Sequence, residues 1–495
     1  MHAKRKGRAP WHWYAKDDTP EERRLIIKLD LLIVPYAVIG YWIKYIDQSN
    51  LNNAYVAGLQ KDLGFYGDEL VNLNAMYTAG AVIGQLPFMF LFPMIPMNWT
   101  IPALEFGWGI FTLLQYRTQG YAELMAYRFL VGIFEAAFFP GVHYVLGAWY
   151  RGDEIARRGG IFYVGQMLGT LTAGFVQSGA TANLDGVNGL AGWRWMFIIN
   201  ALMTFPVAIA GLFIWPGTPA KPNMLFLTET DLAFAIKRLE EQRADTKETI
   251  TLSIWQILRK IATSWPVYIL TLWDIFFWNA GSTSSGAYLL WLQSLDRFSA
   301  SKLTQIGTTA PALGILYVLF FNFSSDLLWG PTGAITVAHA LNFMAMIMLA
   351  VWDVPEGATW AAFNLSYTYL AMSSVLYGWT NDMLRHDSMK RSIILVFMNL
   401  VAQSTTAWTS ILVFKTSEAP RFLKGYTFCA VNSFVLVLFT VFVVRPYSRA
   451  QEKKLAAIDG VGESGGEEGS LRIESESGAA DEKGATATKV AGASV

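Results

Sequence analysis

Six ionisable residues stand out because each lies in a stretch of the chain that is otherwise apolar. They are Lys44, Asp47, Glu105, Arg128, Glu135 and Asp274. An ionisable group at the centre of a bilayer costs roughly 2.5–3.5 kcal/mol on insertion scales, so it should face a polar cavity or a partner. A carboxyl group there can carry a proton, and a guanidinium group can bind a carboxylate through two parallel hydrogen bonds. We therefore expect each of the six to face a polar cavity or a partner of opposite charge.

Arg128 and Glu135 lie seven residues apart in one apolar stretch. In a helix they share a face but are separated by about 10.5 Å of rise, so they do not pair directly. Two interpretations stay open for each residue. Either both line a polar cavity, or each forms a structural ion pair with another helix.

Lys44 and Asp47 are three residues apart and can pair on a helix surface near the predicted outer end of their span. An exposed pair and a role with substrate or proton are both compatible with this spacing. The amide of Gln48 follows directly. Glu105 and Asp274 are single acids near the ends of their predicted spans, which favours structural roles for both.

Uncharged polar residues also fall in the middle of apolar stretches, namely Tyr77, Gln166, Asn399 and Gln403. Asn and Gln side chains between membrane helices often serve only to hold the helices together. They become ligands if they face the same cavity as Arg128.

Positioning these residues requires many membrane helices. Apolar runs of roughly 20 residues recur along the chain, each long enough to cross about 30 Å of hydrocarbon. The predicted spans are 28–48, 69–92, 99–116, 122–147, 159–181, 193–215, 266–291, 303–323, 332–352, 358–379, 391–413 and 424–444. The fold class predicted is an all-α membrane protein with twelve transmembrane helices in two six-helix bundles.

The composition agrees with a membrane protein. Of the 495 residues, 53% are hydrophobic and only 15% are charged, whereas soluble domains carry roughly 25% charged residues. The net charge of zero gives no reason to expect nucleic acid as a partner. The single cysteine, Cys429, excludes an internal disulfide, and no Cys/His cluster predicts a metal. Without a nucleophile and base, a phosphate loop or a metal motif, we expect neither an enzyme nor a cofactor.

A polar segment divides the spans six and six. The predicted domains are an N-terminal cytoplasmic tail (1–27), a first bundle (28–215), a cytoplasmic linker that ends in an amphipathic helix (216–262), a second bundle (263–444) and a disordered cytoplasmic tail (445–495). Two bundles joined in this way are typical of carriers with a midplane site between the halves.

Basic residues set the predicted orientation. They concentrate before span one and in the 4–5 and 10–11 loops, which an even span count places on one side with both termini. That side is predicted to be cytoplasmic. The outer 11–12 loop runs against the pattern with Lys415, Arg421 and Lys424.

Several segments resemble the anion:cation symporter family of the major facilitator superfamily, and most closely its fungal branch of pantothenate transporters with their allantoate permease relatives. The segments are KYIDQSNLNNAYVAGL after span one, RFLVGIFEAAFFPG in span four, GWRWMFIIN opening span six, YGWTNDMLRHDSMKRSIILVFMN across spans ten and eleven, and EAPRFLKGY. The resemblance covers roughly residues 25–445.

The resemblance implies alternating access and proton-coupled uptake of a small organic anion. It implies that Asp47 and Glu135 carry protons and that Arg128 binds the anion; we expect Glu135 to be the primary carrier. Many relatives have Arg where this chain has Gln48, and Lys44 could replace that cation. The substrate-binding residues expected are Arg128, Lys44, Gln48, Tyr77, Gln166 and Asn399.

One departure concerns gating. The 2–3 loop of the superfamily carries a motif rich in Gly, Asp and Arg, whereas here it reads FPMIPMNWT, and the 8–9 loop keeps only Ser325-Asp326 and Gly330. The cytoplasmic gate is therefore expected to rely on other contacts.

The leading hypothesis is a monomeric fungal plasma-membrane symporter for protons and a vitamin-like carboxylate such as pantothenate. Other anions remain open, among them biotin, nicotinate, allantoate and a sulfur-containing acid, as does export of a secondary metabolite. A transport-dead membrane sensor is a different class of hypothesis, which a long signalling domain would favour.

Overall fold

The computed structural model describes residues 14, 18–92, 94–244, 259, 263–281, 285–384 and 388–453. Long helices dominate these ranges. The first half contains α1 (Pro20–Ala54), α2 (Gln60–Asp62), α3 (Glu69–Leu91), α4 (Met97–Leu114), α5 (Tyr121–Glu135), α6 (Phe138–Trp149), α7 (Gly152–Asn183) and α8 (Gly192–Ile214). A two-stranded pair, β1 (Gly217–Thr218) and β2 (Lys221–Pro222), and helix α9 (Glu229–Ala244) follow in the linker.

The second half contains α10 (Trp265–Trp278), α11 (Ala287–Ser294), α12 (Ala300–Gly307), α13 (Thr309–Ser324), α14 (Gly330–Val351), α15 (Glu356–Leu365), α16 (Ser373–Met383), α17 (Ser388–Val413) and α18 (Leu423–Phe439). Short 3₁₀ or π-helical turns join many of these elements. They are Tyr55–Leu59, Gln115–Arg117, Val187–Gly189, Ser325–Trp329, Ser366–Thr368, Leu370–Met372, Thr416–Glu418 and Thr440–Val444.

Within the described residues, eight helices are long and apolar enough to cross a membrane. The twelve-span count stays a prediction. The structure divides some predicted spans: 122–147 forms α5 and α6, and 303–323 forms α12 and α13. The predicted amphipathic helix at the end of the linker lies almost entirely outside the described residues. The last helical stretch continues to Lys453, past the predicted boundary at 444.

The break between α5 and α6 has a local cause in the sequence. Pro140 has no N–H to donate to the carbonyl of Ala136, and its ring crowds that carbonyl. The backbone tightens there, and the N–H of Ala136 bonds to the carbonyl of Ile133 instead of one residue earlier. Glu135 is consequently the last residue of α5, at the point where the helix is interrupted.

Two glycines bring α3 and α5 into backbone contact. A Cβ atom on Gly132 would overlap the carbonyl oxygen of Tyr77, and one on Gly80 would overlap that of Phe129. Small residues allow membrane helices to approach this closely. The approach places the side chain of Tyr77 on α3 beside the end of α5, where Glu135 lies.

The two halves contact each other at their predicted outer ends. The N–H and the hydroxyl of Ser417 donate to Asp68 Oδ1 at 3.0 and 2.7 Å, and the N–H of Val71 donates to the hydroxyl of Thr416 at 3.2 Å. On the other side of the interface the hydroxyls of Ser178 and Ser301 lie 2.8 Å apart. These bonds hold α3 and α7 of the first half against the second half.

The linker helix α9 packs on the first half through buried ion pairs. Arg238 pairs with Glu154 and lies 3.2 Å from Glu22, which also pairs with Arg151 at 2.5 Å. At the start of α9, Asp231 accepts from Lys28 at 2.6 Å. Burial of the Asp231 carboxyl acts to raise its pKa, but hydrogen bonds from Lys28 and Thr228 outweigh it and hold the pKa below its ordinary value.

Candidate functional site

A cavity of about 210 Å³ lies between the two halves. Residues from α1, α3 and α7 form one wall, and residues from α10 and α17 form much of the opposite wall. A ligand cavity between halves is the arrangement expected of a carrier.

Five residues predicted from the sequence to bind substrate line this cavity. They are Lys44, Gln48, Tyr77, Gln166 and Asn399. The structure thus brings together polar groups from helices that are far apart in sequence.

Lys44 does not form the predicted pair with Asp47. Among the described residues its ammonium group lies 3.4 Å from the carbonyl oxygen of Glu135, where the helix break leaves that carbonyl accessible. The side chain is partly buried and faces the cavity. The side chain of Lys44 thus reaches the end of α5, and the pair with Asp47 does not form.

Tyr77 connects the cavity to groups behind it. Its hydroxyl donates to Glu135 Oε2 at 2.5 Å, and the guanidinium of Arg128 lies 4.7 Å from the centre of its ring. A cation over an aromatic ring is attracted by the negative face of that ring. One side chain on the cavity wall therefore contacts both charged residues of the RFxxGxxE motif.

Arg128 lies behind this wall and does not line the cavity. It is fully buried, and none of its three side-chain nitrogens has a hydrogen-bond partner among the described residues. The sequence interpretation placed Arg128 in direct contact with the anion. The observed position instead places the ring of Tyr77 between the guanidinium and the cavity.

Asp47 and Glu135 form a buried acidic pair. Both are fully buried, and their carboxyl groups interact with each other, while Thr112 donates to Asp47 Oδ2 at 2.7 Å. The alternative of an exposed Lys44–Asp47 pair does not hold, because Asp47 is buried and bonds to Thr112 of α4. Two adjacent carboxylates repel, and a proton bound between them relieves the repulsion.

The second wall is built from amides and hydroxyls. Asn279 donates to Thr405 at 2.7 Å and accepts from Thr409 at 2.8 Å, and the amide nitrogen of Gln403 donates to Asn399 at 3.1 Å. Sequence reasoning missed Asn279. An amide that directly follows the apolar run WPVYILTLWDIFFW was the available signal.

Asp274 lies behind this second wall. It is fully buried and accepts a 2.9 Å hydrogen bond from Tyr377, whose hydroxyl oxygen also lies 2.9 Å from Asn399 Oδ1. Within the part of the chain that the structure describes, no group of three or more His, Cys, Asp or Glu side chains is placed to hold a metal ion.

Sequence comparison identifies related proteins. A profile of the Major Facilitator Superfamily matches residues 37–435. A vitamin H transporter of Saccharomyces cerevisiae is 37% identical over 450 residues, which cover 90% of this chain and 75% of that protein. A pantothenate transporter of Schizosaccharomyces pombe is 33% identical over 412 residues, covering 82% of this chain and 78% of the other.

Structural comparison shows the fold. A D-xylose–proton symporter superposes with a TM-score of 0.63 at 14% identity, covering 83% of this chain and 97% of the other. A nucleoside transporter gives a TM-score of 0.56 at 11% identity, with 83% and 99% covered.

Proposed function

This chain belongs to the Major Facilitator Superfamily, and on that premise we propose that it is a proton-coupled symporter for a small vitamin-like carboxylate. The observation that carries the proposal is the position of Lys44 and Tyr77. Both line the cavity between the halves, and both contact Glu135 behind it. A change of charge on Glu135 therefore changes the electrostatic potential at the cavity wall.

Electrostatics couples the proton to the anion. When the Glu135 carboxyl is ionised, its charge offsets that of the Lys44 ammonium and opposes an anion in the cavity. When Glu135 binds a proton, that negative charge disappears and Lys44 attracts the substrate carboxylate. Release of the proton on the other side of the membrane restores the first state and weakens substrate binding.

Asp47 adds a second carboxyl group to the proton site at Glu135. Its contact with Glu135 allows one proton to be held by the pair, with Thr112 keeping the Asp47 carboxyl in place. Arg128 supports the pair indirectly, because its guanidinium holds the ring of Tyr77 whose hydroxyl bonds to Glu135. In this scheme Arg128 is a positioning residue and Lys44 is the cation that meets the substrate.

The substrate class is a monocarboxylate with a polar amide or ureido group at some distance from the carboxylate. The relatives named as vitamin H and pantothenate transporters favour this class. Lys44 supplies the contact for the carboxylate, and the amides of Asn279, Asn399 and Gln403 on the opposite wall can bond to the polar end. We propose biotin (vitamin H) and pantothenate as the two compounds to test first.

The experiment compares two modes of transport in proteoliposomes. Uptake of labelled biotin and pantothenate is measured with an inward proton gradient and, separately, as counterflow without a gradient. Wild type should accumulate one of the two vitamins, and only when the proton gradient is present. Glu135→Gln removes titration and mimics the protonated acid, so it should abolish accumulation yet retain counterflow.

Glu123→Gln is the matched control, because it makes the same change on the same helix, at the end away from the cavity. It should leave both modes unchanged. Equal loss of accumulation and counterflow in Glu135→Gln would show that Glu135 is a structural charge and would remove the coupling scheme.

The proposed setting is the plasma membrane, with both termini cytoplasmic and the chain acting as a monomer. The positive-inside pattern supports this orientation. It places the sequon Asn98-Trp99-Thr100 in the cytoplasm, so Asn98 should carry no glycan when the chain is expressed in yeast. A glycan on Asn98, detected by a shift in mass after glycosidase treatment, would show that the chain has the opposite orientation.

A further inference from the structure

A second line of buried polar groups runs through the first half, away from the cavity. On α4 and the turn that follows it, Glu105, Trp108, Thr112 and Gln115 are all fully buried. Their spacing of three, four and three residues places them on one helix face over about 15 Å of rise. Four polar side chains on one buried face require partners on the neighbouring helix.

Helix α1 supplies some of those partners. Tyr36 donates a short hydrogen bond to Glu105 Oε2, and Asp47 accepts from Thr112 at 2.7 Å. Between these two contacts lies Gly40, where a Cβ atom would be 3.2 Å from Glu105 Oε1. The second oxygen of Glu105 thus faces the backbone of α1.

Further along α1, Asn50 follows Asp47 by one helical turn and is also fully buried. We name the set Tyr36, Asp47, Asn50, Glu105, Trp108, Thr112 and Gln115 the polar seam.

Many atoms of the seam have no partner within the described part of the chain. They are Glu105 Oε1, Trp108 Nε1 and both amide atoms of Asn50 and of Gln115. Buried polar atoms are almost always hydrogen-bonded, and those without a protein partner bond to ordered water. Donors and acceptors spaced along the buried face of α4 and along α1 are suited to hold a chain of such waters.

The seam is separate from the cavity but reaches the proton site. None of its residues lines the cavity. Asp47 belongs to the seam and to the proton site, because its carboxyl group lies close enough to that of Glu135 for the two charges to interact. At the other end, the ring of Tyr36 lies 5.1 Å from that of Trp215, which directly follows α8. The buried Nε1 of Trp215 also has no acceptor among the residues that the structure describes.

From these contacts we propose that the polar seam conducts the proton between the Asp47–Glu135 pair and the cytoplasm, with Glu105 as the intermediate acceptor. The inference rests on the proposed function. A proton leaves the Asp47 carboxyl through water and binds the Glu105 carboxylate, so Asp47 becomes ionised and Glu105 neutral. Glu105 then releases the proton past Tyr36 and Trp215 toward the predicted cytoplasmic ends of α1 and α8.

The surroundings of Glu105 favour this role over a structural ion pair. Tyr36 on α1 is its titratable neighbour, and the other side chain close to Gly40 is the apolar Phe138 of α6. Glu105 lies seven residues before Thr112, which places it about 10.5 Å closer to the start of α4. The predicted orientation makes that start cytoplasmic, so the seam runs inward from Asp47.

The second half contains a matched residue for comparison. Asp274 is also a fully buried acid that accepts a hydrogen bond from a tyrosine, Tyr377. The hydroxyl of Tyr377 bonds in turn to Asn399 on the cavity wall, so Asp274 adjoins the cavity and not the seam. Asp274→Asn therefore reproduces the chemical change of Glu105→Gln without touching the proposed route.

The experiment measures net uptake of labelled biotin, or of pantothenate if only that is transported, under an inward proton gradient and as counterflow. A pH-sensitive dye inside the vesicles records the accompanying proton flux. Glu105→Gln should lower net uptake and proton flux at least tenfold and leave counterflow within twofold of wild type. Asp274→Asn should change net uptake and counterflow in equal proportion.

Four outcomes would overturn the proposal. The seam is structural if Glu105→Gln transports protons normally. It is also structural if Glu105→Gln loses net uptake and counterflow equally while Glu135→Gln loses net uptake alone. In both cases the proposed function stands. If wild type shows no gradient-driven uptake of either vitamin, both fail together. If Glu105→Gln does not fold, Tyr36→Phe is the second variant, because it keeps the acid and removes its hydrogen bond. Tyr36→Phe should lower net uptake several-fold at unchanged counterflow. Normal net uptake by Tyr36→Phe would contradict the route.

Discussion

The first half of the molecule buries charge, whereas the second half buries amides and hydroxyls. Asp47, Glu105, Arg128 and Glu135 are all fully buried in the first half. Among the described residues of the second half, Asp274 and His339 are the fully buried acid and base, and the cavity wall there carries amide, hydroxyl, aromatic and a few small or aliphatic side chains.

The difference suggests a division of labour. A proton changes the charge of the group that binds it, so proton coupling needs ionisable residues that influence one another. Recognition of a neutral polar group needs fixed donors and acceptors, which amides provide without a change of charge. We infer that the first half couples the proton and the second half selects the substrate.

The largest effect is expected at Arg128. Arg128→Ala should abolish uptake while surface protein, measured by labelling intact cells, remains close to wild type. The ring of Tyr77 would lose the cation that holds it, and Glu135 would lose its positioned donor. Arg128→Lys should also transport poorly, because an ammonium does not reproduce the planar stacking of a guanidinium.

Normal transport by Arg128→Lys would mean that Arg128 acts as a point charge only. Loss of surface protein in both variants would assign it to folding and weaken the contrast between the halves.

A smaller effect is expected at Tyr77. Tyr77→Phe keeps the ring below Arg128 and removes the hydrogen bond to Glu135. Hydrogen bonds to charged groups contribute about 1.5–3 kcal/mol, which corresponds to roughly a tenfold loss or more in gradient-driven uptake. The pH dependence of uptake should shift as well, since the partner of Glu135 has changed. An unchanged pH profile would show that Tyr77 has no part in coupling.

The second half should respond differently. Asn399→Ala removes an amide from the cavity wall and leaves the acids of the first half in place. We expect KM to rise several-fold with little change in the pH dependence of transport, measured over a series of external pH values. A changed pH profile with unaltered KM would break the proposed division.

The smallest effects concern ion pairs outside the membrane core. Arg238→Ala removes the buried cation that pairs with Glu154, and removing one member of a buried pair costs about 3–5 kcal/mol. Its melting temperature in detergent should fall by several degrees. Arg297 pairs with Glu356 where both side chains are 48% exposed, so Arg297→Ala should shift the melting temperature much less. Equal shifts would show that burial of the linker contacts contributes nothing.

Much of the candidate site was predictable from the sequence. A charged or polar residue in the middle of an apolar span is costly, so Lys44, Tyr77, Gln166 and Asn399 were identifiable as candidates from their types and positions, and all four line the cavity. The segments RFLVGIFEAAFFPG and KYIDQSNLNNAYVAGL also predicted the superfamily, which the comparisons confirmed.

The direction in which each side chain points was not predictable. Arg128 and Lys44 are both cations in apolar spans, yet Lys44 reaches the cavity and Arg128 lies behind Tyr77. Glu105 was interpreted as a residue near a helix end, but it is fully buried against Tyr36. The spacing of Glu105, Thr112 and Gln115 was visible in the sequence, although nothing local indicated which helix would cover that face.

By itself, therefore, the sequence determined that the chain crosses a membrane, which superfamily it belongs to and which residues are too costly to bury without a purpose. The first and the last of these depend on composition and on local spacing, and the superfamily depends on the resemblance of whole segments to known relatives. Only the tertiary structure decided that Tyr77 separates Arg128 from the cavity and that Asp47 meets both Glu135 and the face of α4. Those contacts depend on how closely helices distant in sequence approach and rotate against each other, and the glycine contact between α3 and α5 and the break at Pro140 set that geometry.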